Sequence, residues 1–202
     1  MSSQADYPRE QTIGVKEQNM WKSALALALL LTPAQAYILD GEIIRQNGSG
    51  MFVKLTTDEP FAVGFDTFDD DNLYGFDEDQ NITLVEPIRV DIGGLNGVIP
   101  QGSIIASHYV FFDSLSGTQY GFVYFDAPIL GIAAFQGTMA RTDFLANTSV
   151  TYISPELRGL EQGDRVWVDE QDPHKLWVFW AGSSPGDYIR VFTDQSPSAL
   201  NM

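Results

Sequence analysis

The sequence predicts an all-β protein, an antiparallel two-sheet sandwich of jelly-roll type. Three observations lead there. Nine short runs rich in β-branched and aromatic residues alternate with turn clusters. Helical periodicity is scarce, and no helical segment is long enough to carry the crossover that parallel strands need. No blade-length repeat points to a propeller or solenoid, so short strands joined by tight turns favour two packed sheets.

Taken in chain order, the strand-like runs are 38–44, 51–55, 88–92, 108–112, 121–125, 150–153, 165–168, 175–180 and 188–192. The first two are parted by Asn47-Gly48-Ser49-Gly50, a turn cluster. Gly93-Gly94, Asn96-Gly97 and Pro100-Gln101-Gly102 follow the third, and Ser116-Gly117 follows the fourth. Each supplies the fixed or positive φ that a turn requires. The best helix candidate is a single turn over 142–146, capped by Thr142. Asp172-Pro173 and Ser184-Pro185-Gly186 set off the last two strands. The runs 121–125 and 177–180 carry aromatics on both strand faces, which predicts central strands covered on both sides. The alternative is an open aromatic face for stacking sugars, with Trp177, Trp180 or Tyr120 as its contacts.

Residues 1–36 read as a signal peptide. Met20-Trp21-Lys22 forms a basic start, an apolar run spans 24–31, and Thr32-Pro33-Ala34-Gln35-Ala36 ends in an A-x-A cleavage pattern. The run is shorter than the roughly 20 apolar residues that cross a bilayer. Met20 makes a more usual start, which puts residues 1–19 upstream of the true one. A single domain over 37–194 and a flexible C-terminal tail over 195–202 complete the predicted organisation. The expected location is extracytoplasmic: secreted, on the cell surface or in the periplasm.

Asp and Glu total 27 against 11 Lys and Arg, a net charge of −16. Three of each sign lie in 1–36, so the remaining 24 acids and eight bases carry the whole imbalance. Such a field opposes binding to nucleic acid or anionic lipid. The expected partners are an extracellular polymer, glycan or protein, with no membrane insertion after signal cleavage. The chain has no cysteine, which removes disulfides, thiolate metal sites and Cys nucleophiles.

Seven acids fall between Asp66 and Asp79. Asp77-x-Asp79-x-Asn81 matches the first half of a calcium loop, in which alternate oxygen-bearing side chains turn inward. The second half fails, since Ile82 stands where Gly is needed and Ile88 where a bidentate Glu is needed. The candidate Ca²⁺ set is Asp69, Asp71, Asp77, Asp79 and Asn81, set against a solvated acidic loop. The candidate ligand-binding residues are Trp177 and Trp180. No catalytic residue is nominated: His108 and His174 are the two histidines, and neither lies in a triad, elbow or zinc motif. A glycosidase carboxylate pair is trivially available among so many acids, which leaves a hydrolase open without specifying one.

Five stretches carry a resemblance: Leu73-Tyr74-Gly75-Phe76-Asp77-Glu78-Asp79-Gln80-Asn81, the run 104–113, Phe125-Asp126-Ala127-Pro128-Ile129-Leu130-Gly131, Leu157-Arg158-Gly159-Leu160-Glu161 with Gly163-Asp164, and the run 183–191. In these the chain resembles bacterial secreted proteins of uncharacterised function, of the kind that often end in a PEP-CTERM sorting tail read by an exosortase. The resemblance implies an extracytoplasmic bacterial β-sandwich linked to surface or exopolymer biology, and it implies no reaction. The chain departs from the pattern after Val191, where Pro-Glu-Pro, an apolar helix and a basic finish are all missing. Arg158 and Arg190 are expected to pair with acids such as Glu161, Asp164 or Asp187. The leading expectation is a non-catalytic domain that binds an extracellular partner, with Ca²⁺ as its candidate cofactor and a carbohydrate-binding module as the alternative.

Overall fold

A computed structural model describes residues 36–181 and 184–195; the expected signal peptide, apart from Ala36, and the tail beyond Gln195 lie outside the described residues. Alternation of buried and open side chains shapes the longer strands, because successive residues of a strand point to opposite faces. In chain order the elements are β1 (Ile38–Gln46), β2 (Phe52–Lys54), β3 (Phe61–Val63), β4 (Leu73–Asp77), β5 (Ile82–Thr83), β6 (Ile88–Arg89), β7 (Ile92–Gly93), β8 (Val98–Ile99), β9 (Ile104–Phe112), β10 (Gln119–Phe125), β11 (Ile129–Ala133), α1 (Gln136–Arg141), β12 (Val150–Tyr152), β13 (Arg165–Val168), β14 (Lys175–Trp180) and β15 (Asp187–Asp194). Short 3₁₀ turns stand at Asp143–Leu145 and Pro155–Leu157. The protein is therefore all-β, as the sequence predicts.

Four strands form one antiparallel sheet in the order β1-β10-β14-β13. Six form a second in the order β2-β4-β9-β15-β11-β7, with β5 as a seventh strand paired to β9. Two small pairs, β12 with β3 and β6 with β8, complete the strand set. The expectation of a purely antiparallel topology is corrected here. β2 runs parallel to β4, and β12 parallel to β3. Both pairs join strands far enough apart in sequence for the chain to return in the same direction, and both are short.

One hydrophobic cluster is shared between the two large sheets: Val123, Phe125, Leu176, Val178 and Trp180 meet Val110, Phe112, Ile132, Ile189 and Val191. The opposite face of the larger sheet is also covered. Tyr74, Phe76, Tyr109, Phe111, Tyr188 and Phe192 pack there against Leu84, Ile88, Val90, Ile99, Met139, Leu145 and Val150. Strands β9 and β15 are accordingly buried along almost their whole length. This reverses the expectation that 121–125 and 177–180 are covered on both sides. Strands β10 and β14 alternate strictly between buried and half-buried residues, so one face of each is open. Gly121 lets the edge strand close on β10, since a Cβ there would lie 2.3 Å from the Glu42 carbonyl oxygen.

The helix starts six residues earlier than expected, at Gln136, and 142–146 holds only the 3₁₀ turn. Its start is capped from 43 to 47 residues away: Asp91 accepts the main-chain N–H of Ala134 at 2.7 Å and Phe135 at 3.0 Å, and the Thr138 hydroxyl at 2.8 Å. Thr142 closes the other end by donating its hydroxyl to the Thr138 and Met139 carbonyls. Among the described residues, no helix is long and apolar enough to cross a membrane.

Candidate functional site

The open face of the four-stranded sheet is built by strand register. Arg45 on β1 lies opposite Tyr120 on β10, Tyr120 opposite Phe179 on β14, and Phe179 opposite Arg165 on β13. The next row reads Glu42, Phe122, Trp177 and Trp167, and a third reads Asp40, Tyr124 and Lys175. Six aromatic side chains thus form two neighbouring columns and a flank on one surface. They come from alternate positions of three strands, so pleat geometry alone places them together.

The rings are ordered against one another. Tyr120 and Trp177 stack with centroids 5.3 Å apart and planes 6° from parallel, and Trp167 stacks on both at 6.2 Å, 16° and 20° from parallel. Phe122 meets Trp177 edge-on at 5.5 Å. One end of the array is filled from within the chain, where the Lys175 ammonium sits 4.0 Å from the centroids of both Phe122 and Trp177. The Trp177 indole N–H donates to Asp169 at 2.7 Å, which fixes the ring and holds that carboxylate below its ordinary pKa. The other end is open. There Tyr120, Trp167 and Phe179, with Arg45, Gly163 and Arg165, line a depression of about 340 Å³. Trp167 keeps 37% of its surface exposed.

Of the two expected ligand-binding residues, Trp177 stands on this face and Trp180 does not. Trp180 is fully buried in the core between the sheets. The two are three residues apart in one strand, an odd separation that sends them to opposite faces. Trp167, which sequence reasoning did not single out, takes the place expected of Trp180. Its signal was the alternation in Arg165-Val166-Trp167-Val168, legible only once the buried parity of Val166 is known.

The expected calcium set is not brought together. Asp69 and Asp71 precede β4, and Asp79 and Asn81 follow it. Five extended residues, about 16 Å of strand, lie between the two groups. Asp77 is engaged elsewhere, ion-paired to Lys54 at 2.8 Å, 2.8 Å from His108 Nδ1, and accepting the Ile38 N–H at 2.9 Å. Burial pushes its pKa up, but His108, Lys54 and that N–H outweigh burial and hold it below the ordinary value. Asp79 is half-buried, and burial followed by the Glu78 charge raises its pKa. Asn81 adopts φ 56° in the turn beyond β4.

The carboxylates that do converge are Asp66, Asp69 and Asp113, each able to place one oxygen within 4.8 Å of the others. Asp113, at the end of β9, was no candidate in the sequence. It accepts the main-chain N–H groups of Thr67 at 2.9 Å and Phe68 at 3.0 Å, while Asp66 accepts the Ser184 hydroxyl at 2.7 Å. Although Asp69 is exposed, desolvation by its neighbours, then the charges of Asp66, Asp113 and Asp70, raise its pKa. Hydrogen bonds within the chain account for the positions of Asp66 and Asp113, and the cluster carries no cation assignment.

His108 is buried between Asp77 and the Thr193 hydroxyl, 3.0 Å from its Nε2. His174 donates from Nδ1 to the Phe125 carbonyl at 3.2 Å, which helps hold the turn into β14. The arginine pairings also differ from expectation. Arg190 binds Glu78 through Nε at 2.6 Å and Nη2 at 2.9 Å, with both side chains fully buried, and Arg158 pairs with Asp143. A larger, mainly apolar cleft of about 770 Å³ lies on another side of the protein, between residues 82–89 and Arg141, Thr142 and Phe144. No protein-family model, curated protein or solved structure matches the chain.

Proposed function

We propose that the protein is a secreted, non-catalytic β-sandwich that binds an extracellular glycan through the open aromatic face of its four-stranded sheet. The observation that carries this reading is the ordered array of Tyr120, Trp167 and Trp177 beside a depression walled by Tyr120, Trp167 and Phe179. Large rings gathered on an open sheet face, half-buried apart from the exposed Trp167, leave apolar surface in water that suits a partner. The apolar C–H face of a sugar ring suits such walls, while its hydroxyls remain within reach of Arg45 and Arg165. The sandwich reading is supported by the core shared between the two large sheets. Secretion is supported by the A-x-A pattern behind a short apolar run and by the resemblance to secreted bacterial proteins.

Retention of the mature chain on immobilised cellulose, xylan, dextran, polygalacturonate and alginate tests the proposal. Binding to at least one polymer is expected, and Trp167→Ala or Tyr120→Ala should weaken it at least tenfold while the melting temperature changes little. The aromatic face loses its role if both variants bind as tightly as the parent protein, and the glycan reading itself fails if the parent is retained on none.

A further inference from the structure

We infer that the ligand of the aromatic face is an anionic polysaccharide, read at its charges by Arg45 and Arg165. This rests on the glycan reading above and assigns the chemical class of the glycan. The row Arg45, Tyr120, Phe179, Arg165 crosses the sheet with an arginine at each end and two aromatic rings between. Three strand spacings separate the arginine backbones, about 14 Å, which suits a short run of linked sugars lying across the strands. Both arginines line the same depression, and no acidic side chain does.

Charge placement across the molecule gives the argument its force. Outside residues 1–36 the chain has eight bases against 24 acids. Arg158 and Arg190 are buried in ion pairs, and Lys54 is paired with Asp77. Lys175 lies over the rings of Phe122 and Trp177. Arg89 and Arg141 border the separate apolar cleft. Arg45 and Arg165 remain, both exposed and, among the described residues, neither in an ion pair; the Arg45 guanidinium lies 6.0 Å from the Tyr120 ring centroid, at the rim of the depression. Arg89 and Arg141 are likewise exposed and outside these ion pairs, but they border an apolar cleft that Glu86 also lines, whereas Arg45 and Arg165 flank open rings with no acid in the depression. The guanidinium fork matches the planar carboxylate of a uronic acid through two parallel hydrogen bonds, and it also accepts a sulfate. Glu42 stands in the row next to that of Arg45, and Asp40 in the row beyond. They direct a polyanion to the Arg45 and Arg165 row and away from the Tyr124 end.

The test compares polygalacturonate, its fully methyl-esterified form and heparin, with the intact mature chain. The acid form is expected to bind at least tenfold tighter than the ester and to lose most of that advantage in 0.5 M NaCl, since the charges that create it are exposed. Tighter binding to heparin than to polygalacturonate assigns sulfate as the group read, and the reverse order assigns carboxylate. The double variant Arg45→Gln/Arg165→Gln should bring the acid form down to the affinity of the ester. Arg89→Gln/Arg141→Gln removes the same charge elsewhere and should leave the preference intact. Equal affinity of the parent for acid and ester, or equal losses in the two double variants, overturns the charge assignment and leaves the aromatic face standing. Retention of neither form nor of heparin overturns the assignment, and failure on the neutral polymers as well removes the glycan reading with it.

Discussion

Asp187 stands at the start of β15 with 2% of its surface exposed, and its Oδ2 has no hydrogen-bond partner among the described residues. Burial, then the Asp164 and Glu161 carboxylates, push its pKa up to about 9. At neutral pH this side chain is therefore a neutral acid. The sign of its effect on stability follows. Between pH 3.8, the ordinary value, and about 9, the folded protein keeps a proton that the unfolded chain has released, so stability falls as pH rises through that window and levels off above it. Asp187→Asn, neutral at every pH, should be more stable than the parent at pH 8 by about 1–3 kcal/mol, the usual scale for one buried, poorly satisfied polar group. The difference should shrink toward pH 4. Urea midpoints of the two proteins at several pH values measure this, and parallel profiles would show that Asp187 ionises as an ordinary surface acid does.

At the scale of elements, the Arg190–Glu78 pair joins parts of the chain that are far apart in sequence. Glu78, just past β4, accepts the Ser107 hydroxyl of β9 at 2.6 Å and the Tyr152 hydroxyl of β12 at 2.6 Å. Arg190 of β15 donates through Nη1 to the Met139 carbonyl of α1 at 3.0 Å, to the Thr142 hydroxyl at 3.0 Å and to Asp143 at 3.1 Å. Burial and the Glu78 charge together raise the pKa of Tyr152, which keeps its hydroxyl a donor. A fully satisfied pair of this kind adds little net stability, yet losing Glu78 leaves the buried Arg190 guanidinium with only the partly exposed Asp143 as a counter-charge. Glu78→Gln should therefore cost about 3–5 kcal/mol, whereas exposed Glu42→Gln should cost under about 0.5 kcal/mol. Chemical denaturation of both variants checks the contrast, and equal small losses would show that water reaches the pair.

At the scale of the whole molecule, a net charge of −16 on a chain of 202 residues is self-repulsive. Screening should relieve it, so the melting temperature is expected to rise between 10 mM and 150 mM NaCl, where the screening length shortens from about 30 Å to about 8 Å. A flat or falling melting temperature in differential scanning calorimetry would show that attractive pairs outweigh the repulsion. The same acidity was legible in composition alone. So were the β class and the approximate position of most long strands, because period-two patterning and turn residues are local properties. Strand β4 was not legible: Leu73–Asp77 sits inside an acidic stretch, and of its residues Asp77 stood out as a calcium-ligand candidate. Asp77 and Glu78 became ligands of Lys54, His108 and Arg190 only when the sheets brought those partners within reach. The site divides in the same way. Sequence parity alone required Trp177 and Trp180 to face opposite sides of one strand. Which side is open was decided by how the second sheet packs, and with it the choice of Trp177 and Trp167 over Trp180. Adjacent residues set strand and turn, but the partners of a buried charge and the exposure of a sheet face are set by residues tens of positions away, and only the tertiary structure brings those together.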